Sequence, residues 1–302
     1  MNHPLRLGTR GSPLALAQAR LVADALRQAH GWGDEAVEIV PITTTGDVIQ
    51  DRPLAEIGGK ALWTKELDRC LADGRTDLSV HSMKDVETFR PAEFVIAAML
   101  KRADARDRIV GADSLASLPA NARLGTSSPR RAAQVKARRH DVETVVLRGN
   151  VQTRLAKLQR GEIDATLLAA AGLDRLGLDV GKAVDELLPA ASQGAIGVEV
   201  LAAREDMLAL IGAIDDRTTH ACVSLERRFL AEMGGDCHSP LAVHAFATGD
   251  RIVLRAEILS ADGREVQAGE VECGFDEAEA AARLARRLLD AASPQLRALF
   301  AA

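Results

Sequence analysis

Two helix starts are written almost alike, each directly behind a short apolar strand. They constrain this chain more than anything else in it. The first is Gly11-Ser12-Pro13, behind a strand over Leu5 to Gly8; the second is Ser127-Ser128-Pro129, behind Arg123 to Gly125. Serine is a strong N-cap because its hydroxyl accepts from a free N–H of the first turn. Proline suits the first helical position, where no N–H is needed. A strand that runs straight into a capped helix opens a β-α-β unit. Two such openings predict two similar α/β domains, and no shorter repeat competes with them.

The remaining elements fill in that scheme. In the first half, strands are predicted at Val37 to Ile42 and Phe94 to Leu100, with a helix from Ala61 to Asp73 ended by Gly74. Thr43 to Lys60 holds Gly46, Gly58 and Gly59 and has no period, which marks a functional or moving loop. Lys101 to Arg108 is charged and reads as a linker. The second half repeats the order: strands at Val142 to Leu147 and Asp164 to Leu168, helices at Val151 to Arg160 and Ala169 to Leu176. Leu187 to Gly194 reads as a crossing, and Ala195 to Val200 as a strand returning to the first domain. Beyond Asp216 the pattern changes to a helix, Ala221 to Met233, then strands at 242–247, 252–259 and 265–272, then a helix from Glu277 to Ala292. The expected architecture is α/β: two similar doubly wound domains flanking a cleft, like periplasmic binding proteins, plus a small α+β domain with an antiparallel sheet. The expected domains are 1–98 with 195–213, then 99–194, then 216–302.

Three function classes are disfavoured by composition. The chain has no Tyr, two Trp and six Phe, and a net charge of −5. Stacking platforms for single-stranded nucleic acid need aromatics, and a general polyanion binder needs net positive charge, so no nucleic-acid partner is expected. Apolar runs such as Ala165 to Gly172 are too short to span a bilayer, and Met1 to Thr9 does not read as a secretory leader. Cys70, Cys222, Cys237 and Cys273 show no metal-ligand spacing. A cytoplasmic protein with free thiols and no metal is expected.

Three groups of residues are candidates for chemistry. The stretch Thr76 to Val86 alternates Leu78 and Val80 with polar residues, then ends in His81, Ser82, Lys84 and Asp85. Ligands of open α/β sheets bind beyond the carboxyl ends of strands, which makes Asp85 a candidate; an ordinary Lys-Asp surface turn reads equally well. Next, Arg130 to Arg160 holds nine Lys/Arg against two Asp/Glu in an acidic chain. Arg130, Arg131, Arg148 and Arg154 fall where strands become helices. With the Thr126, Ser127 and Ser128 hydroxyls and two helix starts they make a carboxylate or phosphate site. Arg138, Arg139 and Arg160 read as a solvated face. The third candidate is Cys237, in a Gly-rich loop beside Asp236 and His238, with no apolar setting to make it a core cysteine.

Read together, several segments resemble the porphobilinogen deaminase family: RLGTRGSPLALAQA at 6–19, IGGKALWTKEL at 57–67, DLSVHSMKDV at 77–86 and LGTSSPRRAAQ at 124–134. They continue with RGNVQTRLAKLQRGEIDATLLAAAGLDRLGL at 148–178, LPAASQGAIGVE at 188–199 and CHSP at 237–240. These run in family order over nearly the whole chain. The resemblance implies a monomeric enzyme that joins four porphobilinogen molecules head to tail, loses ammonia at each step and releases hydroxymethylbilane by hydrolysis. It implies a dipyrromethane cofactor on a thioether to Cys237. Arg10, Ser12, Ser82, Lys84, Thr126, Ser127, Ser128, Arg130, Arg131, Arg148, Asn150 and Arg154 would then hold carboxylates of cofactor and substrate. Lys60 would close from its loop, Gln193 and Gly194 would lie near the hinge, Asp85 would face pyrrole N–H groups, and His81 would be structural support.

Four positions depart from the family pattern. Glu87 stands where proline often follows Lys-Asp-Val, Pro129 where an aliphatic residue is common, and Ser192 where glycine is frequent. Asp236 precedes the cysteine in place of a small residue, and charge repulsion there raises the thiol pKa. The competing class is a two-lobed anion-binding module of periplasmic type, which would need a leader and no tethering cysteine.

Overall fold

A computed structural model describes residues 3–43, 61–234 and 239–300. The chain divides into two compact units, Met1–Ala103 with Gly194–His220, and Asp104–Gln193 with Ala221–Ala302.

Strand β1 (Leu5–Arg10) leads straight into α1 (Pro13–His30). The Ser12 hydroxyl accepts from Ala15 N–H at 3.2 Å, and Pro13 opens the helix. Gly31 ends it at φ 64°, left-handed backbone that glycine adopts without a Cβ penalty. Ala19, Val22, Ala23 and Leu26 recur three and four residues apart on one face, and that face is buried. The unit's sheet runs β2 (Val37–Ile42), β1, β3 (Leu78–Ser82), β10 (Ile196–Leu201), β4 (Phe94–Met99). β1, β2 and β3 are parallel, and β10 enters antiparallel between β3 and β4, pairing Ile196 with Ser82. Helices α2 (Ala61–Ala72) and α6 (Glu205–Gly212) complete the unit.

The second unit repeats the plan. Its first sheet runs β7 (Glu143–Val145), β6 (Arg123–Gly125), β8 (Ala165–Ala169), β5 (Asp107–Val110), β9 (Lys182–Val184). Again three strands are parallel and a fourth, β5, enters antiparallel beside the third. After β6, Ser128 caps α3 (Pro129–Arg138); after β7, Asn150 caps α4 (Val151–Gln159), its Oδ1 accepting from Thr153 N–H at 2.9 Å. Short α5 (Ala170–Arg175) follows β8. The same unit carries α7 (Arg217–Glu232, whose first turn belongs to the other unit), the antiparallel sheet β11 (Leu241–Thr248), β12 (Arg251–Leu259), β13 (Val266–Cys273), and helices α8 (Glu279–Ala291) and α9 (Pro294–Arg297). Each of the three sheets has its own apolar core.

The α/β class, the paired sheets and the small antiparallel sheet match expectation. Details differ for physical reasons. β5 begins inside the segment read as a linker: Asp107 and Ile109 alternate inward, but a four-residue strand is too short to show a period. α6 and β9 were not expected. α7 starts four residues before Ala221, because the Asp216 carboxylate caps Thr219 N–H at 2.7 Å. Throughout β3 the polar positions Ser79 and His81 are as buried as the apolar ones, since both faces of this inner strand are covered.

Candidate active site

The expected residues gather at two sheet edges, one in each unit. In the first unit the parallel strands β1 and β3 end at Arg10 and Ser82, so their side chains, the α1 start and the turn Met83–Asp85 share the carboxyl edge. A cavity there is lined by Arg10, Ser12, Thr64, His81, Ser82 and Asp85. Lys84 is half-buried in the same turn. Met83 N–H donates to Ala195 O at 3.1 Å and Val86 N–H to Met83 O at 3.3 Å, which fixes the loop that presents Asp85. Behind the cavity, His81 Nε2 meets the buried Glu199 Oε2 at 3.1 Å. Burial alone would raise the Glu199 carboxyl, but His81 and then Arg90 outweigh it and bring it down to about 2.

In the second unit Thr126, Ser127 and Ser128 follow β6, and Arg148 and Asn150 follow β7. Ser127 Oγ donates to Leu147 O at 2.7 Å, and Ser128 N–H to Thr126 Oγ1 at 3.1 Å. The first bond ties the two loops together at the same edge, and the second folds the loop after β6 on itself. Arg130 and Arg131 are buried, 4% and 7% exposed. Their counterion is the wholly buried Asp107 at the start of β5, opposite Ala169 at the end of β8. Arg130 Nη2 donates to Asp107 Oδ2 at 2.9 Å, and Gln193 Nε2 to Asp107 Oδ1 at 2.8 Å. Gln193 also donates to Ala105 O. Gly194, at φ 87°, accepts from Ala103 N–H at 3.3 Å.

Charge at this edge is not fully neutralised. Arg130 Nε is buried and has no hydrogen-bond partner among the described residues. Arg154 Nε donates to Gly149 O at 2.9 Å, but among the described residues no carboxylate pairs with its guanidinium. Burial, with Arg131 close by, lowers its pKa to about 10. An orphaned buried N–H beside under-neutralised guanidiniums suits a ligand rich in carboxylates. Asp107, the residue that organises this site, was missed from the sequence. Lys60 and Cys237 lie outside the described residues. Cys70, Cys222 and Cys273 are buried, and among the described residues none of them forms a disulfide. No cluster among the described residues is placed to hold a metal ion.

Fold and site together define an α/β protein with a carboxylate and an arginine on one sheet edge and buried, under-neutralised arginines on another. Such edges suit an anionic ligand. Two family models match it: "Porphobilinogen deaminase, dipyromethane cofactor binding domain" over residues 5–209, and "Porphobilinogen deaminase, C-terminal domain" over 220–290. Porphobilinogen deaminase of Sphingopyxis alaskensis is 56% identical over 309 residues, covering 99% of this chain and 98% of that one. The Paracoccus denitrificans protein of that name is 50% identical, covering 89% and 88%. The one from Roseiflexus is 46% identical, covering 96% and 97%. The chain belongs to the porphobilinogen deaminase family.

Proposed function

We propose that the chain is a transferase of porphyrin and haem biosynthesis. It joins four porphobilinogen molecules head to tail, with loss of ammonia at each step, onto a dipyrromethane cofactor attached through Cys237. Hydrolysis then releases hydroxymethylbilane. Family membership supports this, and the observation that carries it is the cavity Asp85 shares with Arg10 and Ser12. A pyrrole bearing acetate and propionate needs opposite partners, an acceptor for the ring N–H and cations for the acid groups.

Arg10, Ser12, Ser82 and Lys84 bind the acid groups of incoming porphobilinogen, and Lys60 contributes from its loop. Thr126, Ser127, Ser128, Arg130, Arg131, Arg148, Asn150 and Arg154 hold carboxylates of the dipyrromethane. When bound, the dipyrromethane supplies an electron-rich pyrrole carbon as nucleophile. Asp85 accepts from the substrate's ring N–H. As ammonia leaves, that ring becomes an electron-poor azafulvenium, and a fixed carboxylate stabilises the developing positive charge. The same carboxylate is placed to pass a proton to the departing amine and to take one from the coupled ring. Cys237 acts as a tether that raises effective concentration. Gln193 and Gly194 serve as the hinge at a chain crossing. The protein acts on its small-molecule substrate as a cytoplasmic monomer, without nucleic-acid or membrane partners.

Mass spectrometry of the purified protein tests the reading. A mass excess of two pyrrole units and colour with an acidic aldehyde reagent are expected. An unmodified mass without colour, even after incubation with porphobilinogen, rejects it. Asp85→Asn should fold normally and turn over at least about a hundredfold more slowly; wild-type turnover removes Asp85 from the mechanism.

A further inference from the structure

One buried guanidinium holds both flanks of the Asp85 turn. On the side before the turn, His81 is fixed through Glu199. Arg90 grips that same carboxylate, Nε to Oε1 at 2.9 Å and Nη2 to Oε2 at 2.9 Å. On the side after it, Arg90 Nη1 donates to Glu87 Oε2 at 3.1 Å. Glu87 also takes the Thr64 hydroxyl, which lies 2.9 Å from both its oxygens. Arg90 reaches Asp68 of α2 at 2.6 Å through Nη2 and packs over the Phe94 ring at 5.2 Å. Its side chain is only 10% exposed.

We infer that Arg90 and Glu87 are positioning residues for Asp85, holding its turn against β10 and α2 through His81–Glu199 on one side and Thr64 on the other. The inference rests on Asp85 being the reacting carboxylate, as proposed above. Asp85 sits on a three-residue turn, which by itself has little to define its direction. Fixing both its entry and its exit to one planar fork removes that freedom. A lysine does not replace the fork, because an ammonium presents a point charge without the paired geometry.

Glu87 has a second way of being replaced. Val86 lies at φ −83°, ψ 136°, extended backbone of the kind a residue before proline adopts. Val86 therefore already has the backbone that a proline at 87 requires of its predecessor, and such a proline stiffens the exit covalently, without the ion pair. A group that acts by holding the backbone is rescued by proline; one that acts by its charge is not.

The test uses the full chain with its bound pyrrole cofactor, comparing wild type, Glu87→Ala, Glu87→Pro and Arg90→Lys. Porphobilinogen consumption gives kcat and KM, scaled to pyrrole content and to the folded fraction. For Glu87→Ala and Arg90→Lys, kcat should fall about tenfold, a modest cost for a misaimed catalytic group. KM should stay within about twofold, because the carboxylate-binding groups are untouched. Glu87→Pro should recover to within about threefold of wild type. Full-rate Glu87→Ala overturns the inference. So does a loss that vanishes once rates are scaled to folded, loaded protein, or a Glu87→Pro as slow as Glu87→Ala. Wild-type protein that consumes no porphobilinogen overturns the proposed function, and the inference with it.

Discussion

Arg131 grips Asp107 with a two-pronged fork, Nε to Oδ2 at 3.1 Å and Nη2 to Oδ1 at 2.7 Å. Arg130 shares the same carboxylate, so two buried cations depend on one buried anion. Removing one member of such a group leaves uncompensated charge in the interior. Asp107→Asn should therefore cost about 3–5 kcal/mol, measured by urea unfolding. The acid limb should change as well. Burial would raise the Asp107 carboxyl, but Arg130 and Arg131 outweigh it and hold it well below the usual carboxylate range. A depressed carboxyl contributes its full stability above its unfolded pKa and loses it as pH falls toward the folded value. Wild-type stability should decline from about pH 4 downward, and Asp107→Asn should flatten that decline.

Arg154 carries a trade-off between stability and binding. Burial and Arg131 both work against its charge, so it should cost stability whenever no anion is bound. In a Cys237→Ala background, which should lack the covalent cofactor, adding Arg154→Met should raise stability by about 1 kcal/mol. In the cofactor-bearing protein the same change should impair porphobilinogen turnover. Thermal unfolding and turnover, measured side by side, check both halves. A single change that lowers stability in the first and leaves turnover intact in the second contradicts the assignment.

The contrast between Ser128 and Asp107 shows which parts of this molecule the sequence carries openly. The Ser128 cap is a local bond, three residues long, announced by its own chain neighbours. So are the Ser12 and Asn150 caps, and the strand-then-helix openings of both sheets follow from such starts. Asp107 acts on residues 23 and 24 positions away, through a pairing with no period. A charged stretch ahead of a short strand reads as a linker until the strand is seen to put Asp107 inward with Ile109. The turn bearing Asp85 was legible as polar residues at a strand end. What grips it was not, because Arg90, Glu199 and Asp68 meet from three separate elements. The departure at Glu87 was visible, but its partner Thr64 was not.

Ser192 is a residue the fold tolerates at a cost. It sits at φ 62°, left-handed backbone that charges an L-residue roughly 1 kcal/mol or more. Its hydroxyl is buried without a partner among the described residues. Its N–H donates to the Glu226 carboxylate, a bond any residue keeps. Glycine removes both penalties and gives back part of the gain through its freer unfolded chain. Ser192→Gly should raise stability by about 1 kcal/mol, seen as a higher urea midpoint at unchanged slope. A destabilised variant would mean that the hydroxyl has a partner the backbone argument leaves out.

Gly197 is the close approach on which the Asp85 turn rests. It lies on β10 opposite His81, and a Cβ there would run into the Met83 thioether. Met83 is wholly buried and immediately precedes Lys84 and Asp85. The side chain is flexible but wholly buried, so an added methyl presses it against its neighbours and strains the turn. Gly197→Ala should cost about 1–3 kcal/mol, as overpacking of a filled core does. It should also lower turnover, because the displaced residue is covalently joined to the turn that aims Asp85. Shortening the obstructing side chain offers the control. Met83→Ala alone should cost about 2–5 kcal/mol through the cavity it leaves. With Gly197→Ala the new methyl fills part of that cavity, so the double variant should be more stable than the two losses added together. A cycle of the four proteins by urea unfolding measures that coupling, expected at about 1 kcal/mol or more. Simple additivity would show that Gly197 and Met83 do not meet as described.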